Sequence, residues 1–346
     1  MKFLLNVKPA RLFVTVLSTI SLCLSGVAHA GILDYLTKSN DKPIVLDASS
    51  DMKKTMALAI KESDPIFKTR GDKITKIGIS AFQVRFITDS SLSQTKKNIG
   101  SGNEVRAAVQ YKLEVPPLEV YQRVTDQMRA QLEEEIRARG YEIIPAEKLA
   151  EDSGFAQKVS STPNVSNNEA GFFSKTGEIV VHAKGTADTF GIMQGANEMR
   201  LAERFGSGAA MLKVSLLVNF ASMEEMGFVD RALAGADAGI KHKVGLSIDA
   251  IPASNSPSHL ALGTPLGVWP MPIRSKIYLN NPIAKNVEKL NESTSEAAIG
   301  FLKSLAGGTS SGTRYLVTPA DDYEAQLTSG LGLSMKLLSE SLPDLR

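Results

Sequence analysis

The histidines are the side chains of this sequence best suited to proton transfer, because imidazole titrates near neutral pH. Beyond the first thirty residues they stand at His182, His242 and His259. None has a nucleophile or a second metal-type ligand at the spacing of a helical turn or a hairpin. We therefore expect no catalytic residue, no metal site and no cofactor. His242 continues the apolar phase of a strand pattern and is interpreted as a packed residue.

One serine motif has the letters of a nucleophile elbow, Gly308-Thr309-Ser310-Ser311-Gly312. Such an elbow must follow a strand and open a helix. Here a helical pattern, Thr294 to Leu305, comes first, and the strand-like run Tyr315-Leu316-Val317 follows. The reversed order predicts a flexible loop and not a nucleophile. The sequence also has no phosphate-loop or dinucleotide-binding motif.

The start of the chain has the three parts of a secretory signal peptide. A basic beginning without acidic residues leads into an apolar segment from Leu12 to Val27, and Ala28-His29-Ala30 is a small-residue cleavage site. We predict cleavage between Ala30 and Gly31, with the mature protein periplasmic or secreted. The only cysteine, Cys23, lies in the removed segment, so the mature chain is expected to have no disulfide.

The composition argues against nucleic acid as a partner. The chain has 39 Lys and Arg against 37 Asp and Glu, and three of the cations, Lys2, Lys8 and Arg11, lie in the signal peptide. A balance near neutral lacks the basic excess that phosphate binding requires. No second apolar run reaches membrane-spanning length, so no transmembrane helix is expected after processing.

After the signal peptide we predict an N-terminal arm and helix over residues 31–72, and then a strand–hairpin–helix–strand–helix unit over residues 73–157. Apolar residues alternate along Lys76 to Phe86 but change phase, which predicts a β-bulge. A polar stretch, Thr88 to Asn103, separates this strand from Val105 to Leu113, which alternates with one wet face. A helix follows, and its apolar stripe consists of Tyr121, Val124, Met128, Leu132 and Ile136.

Residues 158–346 continue this unit or form a second one. Two strands alternate clearly, Leu212 to Phe220 and Val244 to Ala250, and are expected to pair with one wet face. The proline-rich stretch Pro252 to Pro282 reads as loop around a short strand, and a C-terminal helix is capped by Thr318. The fold class predicted is α/β (α+β), a mixed, largely antiparallel sheet with long hairpins and packed amphipathic helices.

Part of the 73–157 unit resembles a family of envelope domains. The pattern is the strand Lys76 to Phe82, the helix Val120 to Gly140, and the run Tyr141 to Leu149. It is similar to the curli-secretion pore subunit, to the N-terminal domain of the Tol-system β-propeller protein, and to lipoprotein activators of cell-wall synthases. The match covers about a quarter of the chain and lacks the lipidated cysteine of the pore subunit and the activators. The resemblance implies a non-enzymatic role, with no catalytic residues to carry over.

These observations predict an exported non-enzymatic interaction protein, an adaptor or scaffold in cell-envelope assembly or secretion. The expected partners are envelope proteins or further copies of the chain. Trp269, the only tryptophan, is the residue expected to anchor a contact. Two alternatives stay open. One is a secreted hydrolase with a dispersed active site. The other is a subunit of an oligomeric secretion channel, with Thr88 to Asn103 at the tip of an inserted hairpin.

Overall fold

The computed structural model describes residues 43–60, 74–97, 104–168, 177–188, 195–225, 240–250, 258–290 and 312–343. They form a mixed α/β fold, and strands from both sides of residue 158 join one sheet. The strands are β1 Ile44–Leu46, β2 Lys76–Lys97, β3 Glu104–Leu113, β4 Glu142–Ile144, β5 Val165–Asn168, β6 Gly177–His182, β7 Ala209–Glu225, β8 Ile240–Ile248, β9 His259–Thr264, β10 Gly267–Pro272, β11 Ile277–Leu279, β12 Ala284–Leu290 and β13 Gly312–Pro319. The helices are α1 Met52–Ala59, α2 Leu118–Ala138, α3 Ala146–Leu149, α4 Ser153–Ser161, α5 Gly195–Arg204 and α6 Tyr323–Ser339.

The sheet is built around β2 and β7, which pair in parallel from Lys76–Ala209 to Phe86–Val218. The main strand order is β1-β11-β8-β7-β2-β3-β13-β12, while β4 and β6 flank β2 and β9 flanks β7. Most other pairs of described strands are antiparallel, so the sheet is mixed and largely antiparallel as predicted.

The predicted bulge is confirmed in β2. The register with β7 shifts between Ile79 and Ala81, which leaves Ser80 as the extra residue. The bulge explains the change of phase, because Ile77 and Ile79 before it and Phe82, Val84 and Phe86 after it are all buried in the same core.

Most of the polar stretch that was expected to separate the two strands of the hairpin is itself strand, because β2 continues to Lys97. Its C-terminal half pairs with β3 from Asp89–Lys112 to Lys97–Glu104 without a register shift. Hydrogen bonds to β3 and β6 hold this half in the sheet despite its polar composition. Residues 98–103, which complete the predicted hairpin tip, lie outside the described residues.

Helices α2 and α6 cover the apolar face of the sheet. The predicted stripe of α2 is confirmed, because its five residues are all buried. Helix α6 also buries one face, which consists of Tyr323, Leu327, Leu331, Met335 and Leu338. The C-terminal end of α6 is held by Arg139, whose guanidinium lies 2.6 Å from the Glu340 carboxylate and also donates to the Leu342 carbonyl. Helices α3, α4 and α5 pack on the other face around a second apolar cluster that includes Leu149, Phe155 and Met211.

Several assignments differ from the sequence analysis. The proline-rich stretch contains the hairpin β9–β10, in which Pro270 and Pro272 alternate with the residues that hydrogen-bond to β9. Thr318 and Pro319 end β13 instead of capping a helix, and α6 begins after Asp322. Strands β1, β5 and β12 were not predicted. The helix predicted at Thr294 to Leu305 lies outside the described residues.

Within the described ranges, no helix is both long and apolar enough to cross a membrane.

Candidate functional site

A row of polar side chains crosses the second face of the sheet, opposite α2 and α6. Gln83 of β2 pairs with His182 of β6 on one side and with Ser215 of β7 on the other. Because directly opposite residues share a face, the three side chains lie side by side. The Ser215 hydroxyl donates to Gln83 Oε1 at 3.3 Å, and Gln83 Nε2 lies 3.3 Å from His182 Nε2.

This row determines the protonation of His182. The amide nitrogen of Gln83 can only donate, so His182 Nε2 accepts and the ring proton is assigned to Nδ1. Burial lowers the pKa of His182, and the charge of Asp188 opposes part of that change. His182 is 3% exposed, and its Nδ1 has no hydrogen-bond partner among the described residues. The imidazole is therefore neutral at pH 7.

The same geometry limits what Ser215 can do. A nucleophilic serine needs a base in contact with its hydroxyl. Here the hydroxyl donates to an amide oxygen, which cannot take up a proton, and the imidazole lies one side chain further away. Within this row the Ser215 hydroxyl is hydrogen-bonded to the Gln83 amide oxygen and not to the imidazole of His182.

Lys213 lies two residues before Ser215 and therefore on the same face of β7. Its Nζ lies 3.4 Å from Glu198 Oε1 of α5, and the two side chains are 7% and 2% exposed. Burial lowers the pKa of Lys213, while the charge of Glu198 acts in the opposite direction. The helix carrying Glu198 comes very close to β9, since a Cβ on Gly263 would lie 2.6 Å from the Glu198 Cβ.

Other polar groups on this face are also paired. Arg85 and Glu178 are 2.6 Å apart across β2 and β6. Asp249 accepts from Asn219 at 2.9 Å and lies 2.8 Å from Lys276. These groups are distributed over the sheet in separate pairs, an arrangement that holds neighbouring elements together and does not concentrate titratable groups in one cleft.

This buried polar face overturns the expectation that the strand Leu212 to Phe220 has a wet face. Lys213, Ser215 and Asn219 are all less than a tenth exposed. The burial of these three residues, and of Gln83 and Glu198, was not predicted. Polar and apolar residues alternate in the same way whether the polar face of a strand is exposed to solvent or covered by other elements. A lysine inside an otherwise strongly apolar strand was the available signal.

The structure separates the histidines by strand. His182 ends β6, the backbone of His259 in β9 lies opposite Ser215, and the backbone of His242 in β8 lies opposite Met223. The side chains of His242 and His259 lie outside the described residues. Among the described residues, no group of three or more His, Cys, Asp and Glu side chains is placed to hold a metal ion. Of the serine motif, only Gly312 is described, and it begins β13, so the strand does follow the motif.

Trp269 lies on β10, which pairs with β9. Its indole is half-buried against the main core, and it packs over Gly267, where an added Cβ would lie 3.4 Å from the ring. Its predicted role as a contact anchor stays a prediction.

The chain was compared with protein-family models, curated proteins and solved structures, and none of them matches it. The resemblance to envelope domains therefore stays a prediction from the sequence.

Proposed function

We propose that this chain is an exported non-enzymatic interaction protein, which acts as an adaptor or scaffold in cell-envelope assembly or in secretion. The observation that supports the proposal most is the divergence of the two central strands. After Phe86 and Val218, β2 leaves β7 and pairs with β3, while β7 pairs with β8. Two long hairpins thus extend from one core. Strand β13 pairs with β3 from Ala108 to Leu113, so the surface offered to a partner there is the exposed face of the hairpin and not its edge.

The polar interior supports the same proposal. Ser215 and His182, the two side chains most suited to hydrolysis, are separated by Gln83, and Lys213 is paired with Glu198. A direct contact between Ser215 and His182 would require the Gln83 side chain to leave its position between them.

A second candidate, a subunit of an oligomeric secretion channel, is favoured by the length of β2. Channel-lining strands alternate over about ten residues. Strand β2 pairs with β3 as far as Lys97, which is long enough, although its half beyond Ile87 is polar and does not alternate. Val109, Tyr111 and Leu113 are buried in the core, so only the distal half of the hairpin is available for a channel wall.

The proposal is tested by site-specific photocrosslinking in the native envelope. A crosslinker replaces Lys112, which is exposed on the β2–β3 hairpin, and a matched one replaces Arg137, which is exposed on α2. We expect discrete protein adducts from position 112 and weaker or none from position 137. Equal, diffuse labelling from both would contradict the proposal. Adducts of the chain with itself and a large size on a calibrated column would favour the channel subunit.

A further inference from the structure

A cavity lies between helices α4 and α5, which pack on the face of the sheet opposite α2 and α6. Its volume is about 370 Å³, part of it open to solvent, which is at the small end of the range for ligand-binding sites. Phe155 of α4 and Leu201 of α5 line it, and both are buried. The cavity therefore has an apolar wall on each helix.

One carboxylate oxygen at this cavity has no hydrogen-bond donor. Glu198 lines the cavity, and its Oε1 lies 3.4 Å from Lys213 Nζ. Its Oε2 is buried and has no partner among the described residues. A buried carboxylate oxygen without a donor is costly, so this oxygen indicates a place for a further donor. The torsion that orients a carboxylate is soft, so Oε2 can turn towards the cavity while Glu198 stays beside Lys213.

A cation without an ion pair lines the same cavity. Lys158 of α4 is half-buried, and no carboxylate in the described part of the chain pairs with its ammonium group. Burial lowers the pKa of Lys213 most, and the charge of Lys158 lowers it further, which places Lys158 close to the Lys213–Glu198 pair. Arg200, which also lines the cavity, is already paired with Asp152 at 3.1 Å. The cavity thus combines a cation and a carboxylate oxygen that are both available to a ligand.

These two groups select the charge of the ligand. A simple cation would pair with Glu198 but would lie close to Lys158 and Lys213. A simple anion would pair with Lys158 but would face the Glu198 carboxylate. A molecule that carries an ammonium group next to a carboxylate satisfies both, and its charges match the site in sign and order.

We propose that this cavity binds a free α-amino acid with an apolar side chain. The ammonium group of the ligand donates to Glu198 Oε2, and its carboxylate accepts from Lys158. Its side chain packs between Phe155 and Leu201. This binding site goes beyond the proposed interaction role and does not depend on the identity of a protein partner.

The test compares leucine with two analogues that each lack one charge. Isopentylamine is leucine without its carboxylate, and 4-methylpentanoate is leucine without its ammonium group. Calorimetric titration of the mature protein with each compound measures the three affinities. We expect leucine to bind about tenfold or more tightly than either analogue, because each analogue leaves one charge-assisted hydrogen bond unmade.

Variants of the charged groups assign the site. Lys158→Met removes the cation at a half-buried position and should weaken leucine binding about tenfold. The matched control is Lys336→Met, the same substitution at an exposed lysine of α6, which should bind leucine like the wild-type protein. The double variant Lys213→Met with Glu198→Leu removes the carboxylate together with its buried cation and should not bind leucine. Melting curves show whether each variant is folded.

No binding of leucine by the wild-type protein would overturn the proposal, and so would an equal loss in Lys158→Met and Lys336→Met. Equal affinities for leucine and isopentylamine would show that Glu198 binds a cation alone, which also contradicts it. Leucine binding retained by the folded double variant would place the ligand elsewhere. The adducts from position 112 are a separate result, so failure here leaves the proposed function standing.

Discussion

Gln83 determines the chemistry of the buried polar row, because its amide group forms a hydrogen bond with each of the two neighbouring side chains. Its amide accepts from Ser215 and donates to His182, so neither side chain meets the other. A hydroxyl and an imidazole in direct contact would form a nucleophile and base pair. With an amide between them, they form a hydrogen-bonded bridge across three strands. His182 is therefore neutral in the folded protein.

Stability should therefore fall as the medium becomes acidic. In the unfolded chain an imidazole takes up a proton below a pKa of about 6.5, whereas the lowered pKa of His182 resists protonation in the fold. The unfolded state then binds more protons in this window, and stability is lost as the pH falls through it. His182→Gln keeps an acceptor for Gln83 but does not titrate. Its melting temperature should fall less than that of the wild-type protein between about pH 7 and pH 5. Identical falls would contradict a buried neutral His182.

The elements were predictable where one physical signal determined them. The apolar stripe of α2 could be predicted because apolar residues recur once in each helical turn. The bulge in β2 could be predicted because an extra residue shifts the alternation of apolar and polar residues by one position. The hairpin β9–β10 was not predicted, because Pro270 and Pro272 of β10 are typical of a loop, and only the register with β9 shows that they occupy positions that do not hydrogen-bond to it. The wet face assigned to β7 was wrong because α5 and its neighbours cover it, a tertiary fact without a local sequence signal.

The stripe of α2 can be tested by substitution. Leu132 is fully buried, and Leu132→Ala should cost about 2–5 kcal/mol in free energy of unfolding, the range for a leucine removed from a packed core. Arg137 is exposed and pairs only with Glu133 at 3.4 Å, so Arg137→Ala should cost less than about 0.5 kcal/mol. Urea titrations of the two variants compare them directly, and equal effects would show that the helix face is misassigned.

The docking of α5 depends on the pair between Lys213 and Glu198. Lys213→Met leaves a buried carboxylate without its cation and should cost about 3–5 kcal/mol. The double variant Lys213→Met with Glu198→Leu removes both charges and should be more stable than Lys213→Met alone. Denaturant titrations of the complete double-mutant cycle measure this coupling. Additive effects would contradict a direct contact between the two side chains.

For the molecule as a whole, the fold class was predictable, but the candidate site was not. Alternation and helical periodicity suffice to predict a mixed α/β sheet with packed helices. The polar row depends on the register between strands far apart in sequence, for example Gln83 with Ser215, and no local pattern encodes that register.

Export is a property of the whole chain and can be measured directly. If the signal peptide is cleaved between Ala30 and Gly31, the mass of the mature protein should lack the first thirty residues, because signal peptidase cuts after the A-x-A pattern. Mass spectrometry of the envelope fraction measures this. A mature protein that retains Met1, or one that carries a lipid on Cys23, would contradict the prediction.

The central claim is that this protein acts through its surfaces and not through the polar groups inside its sheet. The measurement that tests it most directly combines Ser215→Ala with His182→Gln and asks whether the variant complements a deletion strain. The account predicts full complementation and unchanged crosslinked adducts from position 112, because both substitutions lie beneath the surface. Complementation lost while the melting curve and the adducts stay unchanged would show that Ser215 and His182 perform chemistry, and would contradict the account.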